Sequence, residues 1–334
     1  MTPSHIGSAL RCVAITGGTG SFGMAFTQYL LTHTDAKIRI VSRDEDKQDN
    51  MRREIPDSRL TFIIGDVRDS GKLRTAFDGA DAVVHAAALK RVPTGETQAD
   101  ELIKTNIVGS ANVIDAAIAA RVPHSLFIST DKAVQPINEY GKSKAVAEGL
   151  FTQANLRGTS RQARFATVRG GNVWGSRGSV IEAWRTQQPI VIHDPQATRF
   201  HLPMPEWCEF CWRALCEMRG GEVYVPVLRA WSILALARAF LMEHDRSLDD
   251  YLIDGDRQGD KRHECLIAPH EERRTVQVDS HTYIIEPPSE IREVWNYIAW
   301  DGDGLDQDLQ YTSAMVPHLS TEELREWMRH VHHR

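Results

Sequence analysis

RCVAITGGTGSFGMAFTQYLL, residues 11–31, holds three different kinds of chain in twenty-one positions. Arg11–Thr16 is short, apolar and β-branched, which predicts a buried strand, and Met24–Leu31 predicts an apolar helix. Between them stand the glycines of GGTGSFG. Glycine there permits a tight turn, lets backbone approach a pyrophosphate, and packs helix closely on strand, while the helix N-terminus turns unpaired amides toward phosphate charge. Gly18, Gly20 and Gly23 fit G-x-G-x-x-G; Gly17, Gly20 and Gly23 fit the spacing shifted by one. A glycine motif alone is weak, but the strand before it and the helix after it make this a dinucleotide-binding turn. Gly17, Thr19, Gly20, Ser21, Phe22 and Gly23 are its expected cofactor contacts.

The same alternation continues along the chain. Strand-like runs at 37–41, 60–65, 81–85, 125–129 and 164–169 are separated by helical segments near 45–55, 70–78, 97–120 and 140–156. That order implies an α/β, Rossmann-like, doubly wound parallel sheet. Residues 1–170 are expected to form the NADP-binding domain, to which later chain can return. Residues 171–334 are expected to form mainly a smaller C-terminal substrate-binding domain and a helical tail.

In such a sheet ligands collect at the carboxyl ends of the strands. GDVRD at 65–69, HAAALK at 85–90 and STDKA at 129–133 all sit at such ends. Asp66 and Val67 suit an adenine, through one hydrogen bond and one apolar contact. Ala86, Ala87 and Ala88 leave room for the cofactor backbone, with plain turn packing as the alternative. An enzyme selecting NAD usually ends strand two with a carboxylate; here the positions are Ser42 and Arg43, with Lys47 one turn on. A guanidinium and a hydroxyl suit a ribose 2′-phosphate, which favours NADP over NAD, unless Arg43 merely pairs with Asp44. Thr105 and Asn106 fall on the long helix behind the site, where Asn106 supports the tyrosine described next or makes an interhelical bond.

Tyr140 and Lys144 are four residues apart, one turn on one helix face. Tyr140 can act as a general base if a neighbouring ammonium and a cationic nicotinamide pull its phenol pKa down from near 10. Just before it, Thr130 can hydrogen-bond a substrate oxygen. Asp131 and Lys132 read either as a loop ion pair or, beside Tyr140, as an acid and a base.

Composition is that of an ordinary globular protein: 334 residues, 42% hydrophobic and 25% charged. A net charge of −6 argues against general nucleic-acid affinity, so an anionic ligand must be held by local arginines and lysines. Without a signal peptide or an apolar run of membrane-spanning length, the chain is expected in the cytoplasm. Five cysteines give no disulfide framework. Cys208, Cys211 and Cys216 raise the question of zinc, but residues 206–218 have helical periodicity and no fourth ligand nearby, so no metal is expected. Residues 231–240 and 321–330 read as helices, the latter with a Leu-Trp-Met stripe that packs rather than reacts.

TGGTGSFG, SRDEDKQ, GDVRD, HAAALKRVP, KTN, STDKAVQPINEYGKSKA, GNVWGSRGSV, TRF and RQGDKRHE, in this order, resemble the inverting UDP-N-acetylglucosamine 4,6-dehydratases of the extended short-chain dehydrogenase/reductase superfamily. The resemblance runs from about Val13 to Glu264, and ThrAspLys before Tyr-x-x-x-Lys is its most specific part. It implies an internal redox cycle. Tyr140 takes the C4 hydroxyl proton as hydride passes to NADP, and the resulting ketone acidifies C5. Lys132, with a pKa lowered by burial and by Lys144, removes the C5 proton; Asp131 protonates the departing C6 hydroxyl; hydride then returns to C6. Lys90, Asn172, Ser179, Val180 and Arg199 are expected to meet the UDP-sugar, and Arg257 its diphosphate. A homo-oligomer is expected.

Three places depart from the family pattern. Gly170 stands for a usual tyrosine and is expected to open space, Trp174 is expected to close it, and HLPMPEW after Arg199 replaces an apolar-threonine run. These changes leave a 4-epimerase, or a dehydratase with added 5-epimerase activity on another UDP-hexosamine, as alternatives. A non-catalytic NADP sensor ranks last, having no use for Asp131, Lys132, Tyr140 and Lys144 together.

Overall fold

The computed structural model describes residues 10–90, 98–157, 163–176, 178–255, 259–305 and 310–332. The first half alternates as the sequence predicts: β1 (Cys12–Thr16), α1 (Ser21–His33), β2 (Lys37–Ser42), α2 (Glu45–Glu54), β3 (Leu60–Ile64), α3 (Ser70–Phe77) and β4 (Ala82–His85). A long helix α4 over 99–119 follows, then β5 (His124–Thr130), α5 (Glu139–Ala154) and β6 (Arg164–Gly170). Every residue of β1 is buried: β2 and β4 pair with its two edges, and its two faces enter separate apolar clusters, Val13 and Ile15 in one and Cys12 and Ala14 in the other. A strand covered on both faces reads as an unbroken apolar run rather than an alternating one.

Short polar side chains start the helices. Asp44 caps α2 through Lys47 N, Asp69 caps α3 through Gly71 N and Lys72 N, and Asn138 caps α5 through Gly141 N.

The chain after residue 170 divides its elements. β7 (Asn172–Val173), α6 (Val180–Trp184), β8 (Ile190–Ile192) and β9 (Thr198–Leu202) lie outside the main sheet, as do β11 (Ala230–Ser232), α8 (Ile233–Glu243) and β12 (Tyr251–Ile253). Helix α7 (Met204–Glu217) packs against α1. But β10 (Val223–Pro226) pairs in parallel with β6, and β13 (Thr275–Asp279), β14 (Thr282–Ile285) and β15 (Asp303–Gly304) extend that sheet antiparallel. The order of the ten strands is β15-β13-β14-β10-β6-β5-β4-β1-β2-β3. Strand order reverses between β1 and β4, and a crevice opens at such a point.

Outside the sheet, Trp184, Ile190, Ile192, Trp231, Leu236 and Phe240 form a separate apolar core. After α9 (Ser289–Trp295), the last helix, α10 (Thr321–His332), buries Leu324 and Met328 in that core, as its stripe predicts.

Helix α4 departs from the regular helix the sequence predicts, since Ile103–Val108 is a π-helical turn. The wider turn brings two successive residues, Thr105 and Asn106, inward. Asn106 then grips the Leu89 backbone with both ends of its amide, 2.8 and 2.9 Å, and reaches Ser143 Oγ at 2.9 Å. Of its two expected uses, the bond to a neighbouring helix is the one formed.

Two contacts fix α5 in place. Gly141 sits so close to Lys132 O that no Cβ fits between them. Further along, the buried Arg169 guanidinium of β6 holds Glu148 of α5 at 2.7–3.1 Å and Glu271 at 2.7–2.8 Å, and donates to Leu266 O at 3.0 Å. That fork ties the sheet, α5 and the segment around 264–271 into one unit.

The structure corrects the expectation at Gly170. A Cβ there would lie 2.9 Å from Trp207 Cζ2 and 3.2 Å from Leu202 Cδ2, so the space is filled from α7. Trp207 occupies volume that a side chain at 170 would need.

Two stability measurements follow from these contacts. Arg169→Met leaves two carboxylates buried without their partner and should cost roughly 3–5 kcal/mol in urea unfolding. Gly170→Tyr should overpack the site by about 1–3 kcal/mol, and Trp207→Ala in that background should recover part of the loss, read as a positive coupling in a double-mutant cycle.

Candidate active site

A cleft of about 1400 Å³ runs over the carboxyl ends of the parallel strands. Gly17, Thr19, Gly20, Ser21, Phe22 and Gly23 line one part of it, with Ser42, Arg43, Lys47, Asp66, Val67 and Ala86–Ala88. Lys90, Thr130, Lys132, Tyr140, Asn172, Ser179, Val180 and Arg199 line the rest. Asp131 and Lys144 lie behind the wall, 0% and 3% exposed. Arg257 falls outside the described residues.

The glycine turn is shaped for a dinucleotide. Gly17 has φ +70°, and a Cβ on it would stand 2.7 Å from Ala87 Cα; one on Gly23 would stand 2.6 Å from Gly17 O. Gly18 packs against Ile40 instead, so the glycines that face the cleft are those of the shifted spacing. Gly20 precedes helix α1 and offers no side-chain cap to its first turn, and a helix N-terminus attracts an anion. Deeper in, Thr105 Oγ1 and Ser129 Oγ are buried without hydrogen-bond partners among the described residues, and both residues line the cleft. These features fit a nicotinamide dinucleotide.

At the end of β2, Asp44 takes Lys47 as its partner, with Nζ at 2.6 Å, and not Arg43. Arg43 is exposed at the cleft and forms no ion pair among the described residues. Ser42 Oγ accepts from buried Gln48 at 3.0 Å, which steadies the turn. Asp66 is held by Arg68, at 3.0 and 2.7 Å, and that partner lowers its carboxyl pKa. An adenine there meets a carboxylate already engaged.

The turn after β5 concentrates charge. Thr130 Oγ1 donates to Asp131 Oδ1 at 2.8 Å, and Lys132 Nζ reaches the same oxygen at 3.0 Å. Lys132 Nζ also lies 3.5 Å from Asn172 Oδ1 and 3.4 Å from Glu264 Oε1. With Asp131 fully buried, this is no surface ion pair. Arg199 and Lys261 complete the ring around Glu264, at 3.8 and 3.6 Å.

Burial raises the Asp131 pKa, Lys132 opposes, and Glu264 adds to the rise. Burial also raises that of Glu264, but Lys132, Arg199 and Lys261 overcome it and the net direction is down. Two carboxylates sharing one lysine cannot both stay charged cheaply, and the two shift in opposite directions because Glu264 faces three cations and Asp131 one. Asp131 Oδ2 is buried without a hydrogen-bond partner among the described residues.

Two expectations about basicity are corrected. Burial by itself lowers the Lys132 pKa, but Asp131 and Glu264 outweigh it and hold the amine protonated. Tyr140 is pushed up to about 12 by burial, and its cationic relief comes from Lys132 rather than Lys144. Lys144 points elsewhere: Nζ donates to Ile128 O at 2.7 Å, lies 4.0 Å above the Phe127 ring, and burial brings its pKa down to about 7.

In the other half of the cleft, buried Trp174 lines the wall and packs T-shaped with His201, 5.3 Å between ring centroids. Ser179 caps α6 through Glu182 N, and Val180 begins that helix. Arg199 donates to Thr198 O and Arg262 O. Cys208 and Cys211 are buried free thiols with burial raising their pKa, and Cys216 is partly exposed. The sequence reading missed Glu264 and Lys261, although both stand in RQGDKRHE. No periodic element spans them, so nothing local says that they fold back onto the turn after β5.

Known proteins share this architecture. The family model described as polysaccharide biosynthesis protein matches residues 13–286. A UDP-N-acetylglucosamine 4,6-dehydratase (inverting) of Campylobacter jejuni subsp. jejuni serotype O:23/36 (strain 81-176) is 35% identical, over 96% of this chain and 97% of that protein. A UDP-glucose 4-epimerase of Rickettsia felis is 36% identical, over 95% and 94%. The X-ray structure of Pen from Bacillus thuringiensis superposes with a TM-score of 0.85 at 30% identity, covering 96% of this chain and 98% of that one. The chain belongs to the polysaccharide biosynthesis protein family of extended short-chain dehydrogenase/reductases, the family of the inverting UDP-N-acetylglucosamine 4,6-dehydratases.

Proposed function

We propose that this protein is a sugar-nucleotide 4,6-dehydratase that uses tightly bound NADP and converts UDP-N-acetylglucosamine to a 4-keto-6-deoxy product with inversion at C5. The observation that carries the reading is the buried carboxyl of Asp131 3.0 Å from the Lys132 amine, with Lys132 and Tyr140 lining the same cleft. An oxidoreductase alone needs a tyrosine; elimination needs an acid and a base as well.

Gly17, Gly20 and Gly23 would seat the dinucleotide pyrophosphate on α1, and Arg43 would meet a ribose 2′-phosphate. When bound, the nicotinamide supplies the reversible two-electron oxidation at C4 and its reversal at C6. Tyr140 takes the proton of the C4 hydroxyl, assisted by the positive charge of Lys132. Thr130 steadies the same oxygen. Lys132, once neutral, removes the C5 proton, and Asp131 passes its proton to the leaving C6 oxygen. Asn172, Ser179, Val180 and Arg199 would hold the substrate.

Similarity to proteins named UDP-glucose 4-epimerase favours a second reading, in which only C4 changes. The two differ at C5. In deuterium oxide with UDP-N-acetylglucosamine, a dehydratase yields a 4-keto-6-deoxy sugar with deuterium at C5; a C4 epimer without deuterium would establish the second reading. Lys132→Ala should lower elimination by at least about 100-fold with cofactor binding nearly intact. Loss of cofactor binding in that variant would assign Lys132 a different task.

Arg43→Asp should move the cofactor preference toward NAD by about tenfold or more, measured as the ratio of dissociation constants. An unchanged ratio would contradict the phosphate contact.

A further inference from the structure

The dehydratase reading leaves one difficulty, the protonated state of Lys132. Its amine lies between two carboxylates that keep it charged, yet a base must be neutral. Glu264 holds the resolution in its geometry. Only 2% exposed, it is fixed by its backbone: Ser313 Oγ accepts from Glu264 N at 2.9 Å, and Ser313 N donates to Glu264 O at 2.8 Å. Its carboxylate is much less tightly held. Oε1 is 3.4 Å from Lys132 and 3.8 Å from Arg199, Oε2 is 3.6 Å from Lys261, and Oε2 has no hydrogen-bond partner among the described residues.

The contrast with Arg169 is informative. There, buried charges serve the fold, and Glu148 and Glu271 meet the guanidinium at 2.7–3.1 Å. Glu148 and Glu271 are saturated with short hydrogen bonds; Glu264 is buried as deeply and its Oε2 has no such bond among the described residues.

We propose that Glu264 is a positioning residue for Lys132, holding the amine at the cleft wall and accepting its proton when substrate has been oxidised. The step balances. An N–H bond of the Lys132 ammonium breaks and an O–H bond forms on Glu264, leaving a neutral amine and a neutral carboxyl. The amine then takes the C5 proton, the C5–H electron pair forms the C5–C6 double bond, and the C6 hydroxyl leaves as water with the proton of Asp131. The first transfer runs against the resting preference of both groups, and the ketone at C4 draws it forward by acidifying C5, so that the neutral amine is consumed as it forms. Lys261 and Arg199 face the carboxylate from its own segment and from β9, and Asp131 and Tyr140 face Lys132 from the turn and from α5; these charges set how readily the proton returns.

Glu264→Gln keeps the shape and removes the acceptor. Two measurements test it, and the first needs neither substrate nor the dehydratase reading. The Lys132 amine of the full-length protein, followed by carbon-13 NMR of labelled lysine and assigned with Lys132→Arg, should titrate at least about one pH unit lower in Glu264→Gln. An unmoved titration would overturn the coupling.

The second measurement is deuterium incorporation at C5 from UDP-N-acetylglucosamine in deuterium oxide. Near pH 7 it should fall at least about tenfold in Glu264→Gln and then climb with pH, because the amine must lose its proton to solvent, while wild type stays nearly flat. The initial oxidation at C4, seen as nicotinamide absorbance, should stay within about twofold, and Glu264→Asp should restore part of the C5 exchange. Equal losses in both stages, with no change in the pH profile, would mean a role in folding only and would overturn the proposal. Should wild type make no 4-keto product, the functional reading fails and the titration still decides the coupling.

Discussion

One lysine amine shared by two buried carboxylates is the constraint around which the cleft is arranged. Charges at these separations in a poorly solvated site interact far more strongly than at a surface, and no arrangement of Asp131, Lys132 and Glu264 leaves all three ionised at low cost. The protein resolves the conflict by ringing Glu264 with cations and giving Asp131 only Lys132. That unequal distribution drives the Asp131 pKa up and the Glu264 pKa down, while the two carboxylates together hold the Lys132 amine charged.

Such a cluster requires a rigid frame, and the fold supplies it at three points. The absence of a side chain at Gly141 lets α5 settle onto the turn that carries Asp131 and Lys132. Arg169 locks α5 to the sheet and to the segment just beyond Glu264. Ser313, from close to the C-terminus, clamps the Glu264 backbone. The site therefore draws on residues from 130 to 313, although the motif that announces it is fewer than twenty residues long.

The Rossmann-like fold was legible because its signals are local: periodic apolar runs, capping residues, and glycines where backbone must approach backbone. So was the line of residues along the strand ends, since the winding of such a sheet gathers them. Charge states were not legible. Lys132 and Lys144 have the same intrinsic basicity, and only their surroundings drive one up and the other down. The exchange of volume between Gly170 and Trp207 was hidden likewise, because a gap at one position says nothing about which distant ring fills it. Pairing of Arg43 with Asp44, its neighbour in sequence, was the alternative to a phosphate contact; the start of α2 gives Asp44 to Lys47 instead.

The central claim is that the Lys132 amine breaks the C5–H bond of an oxidised sugar. UDP-N-acetylglucosamine carrying deuterium at C5, incubated in ordinary water, tests it most directly. Wild type should release that deuterium to solvent, whereas Lys132→Met should oxidise C4 and retain it. Retention by wild type, or release by Lys132→Met at the wild-type rate, would contradict the account.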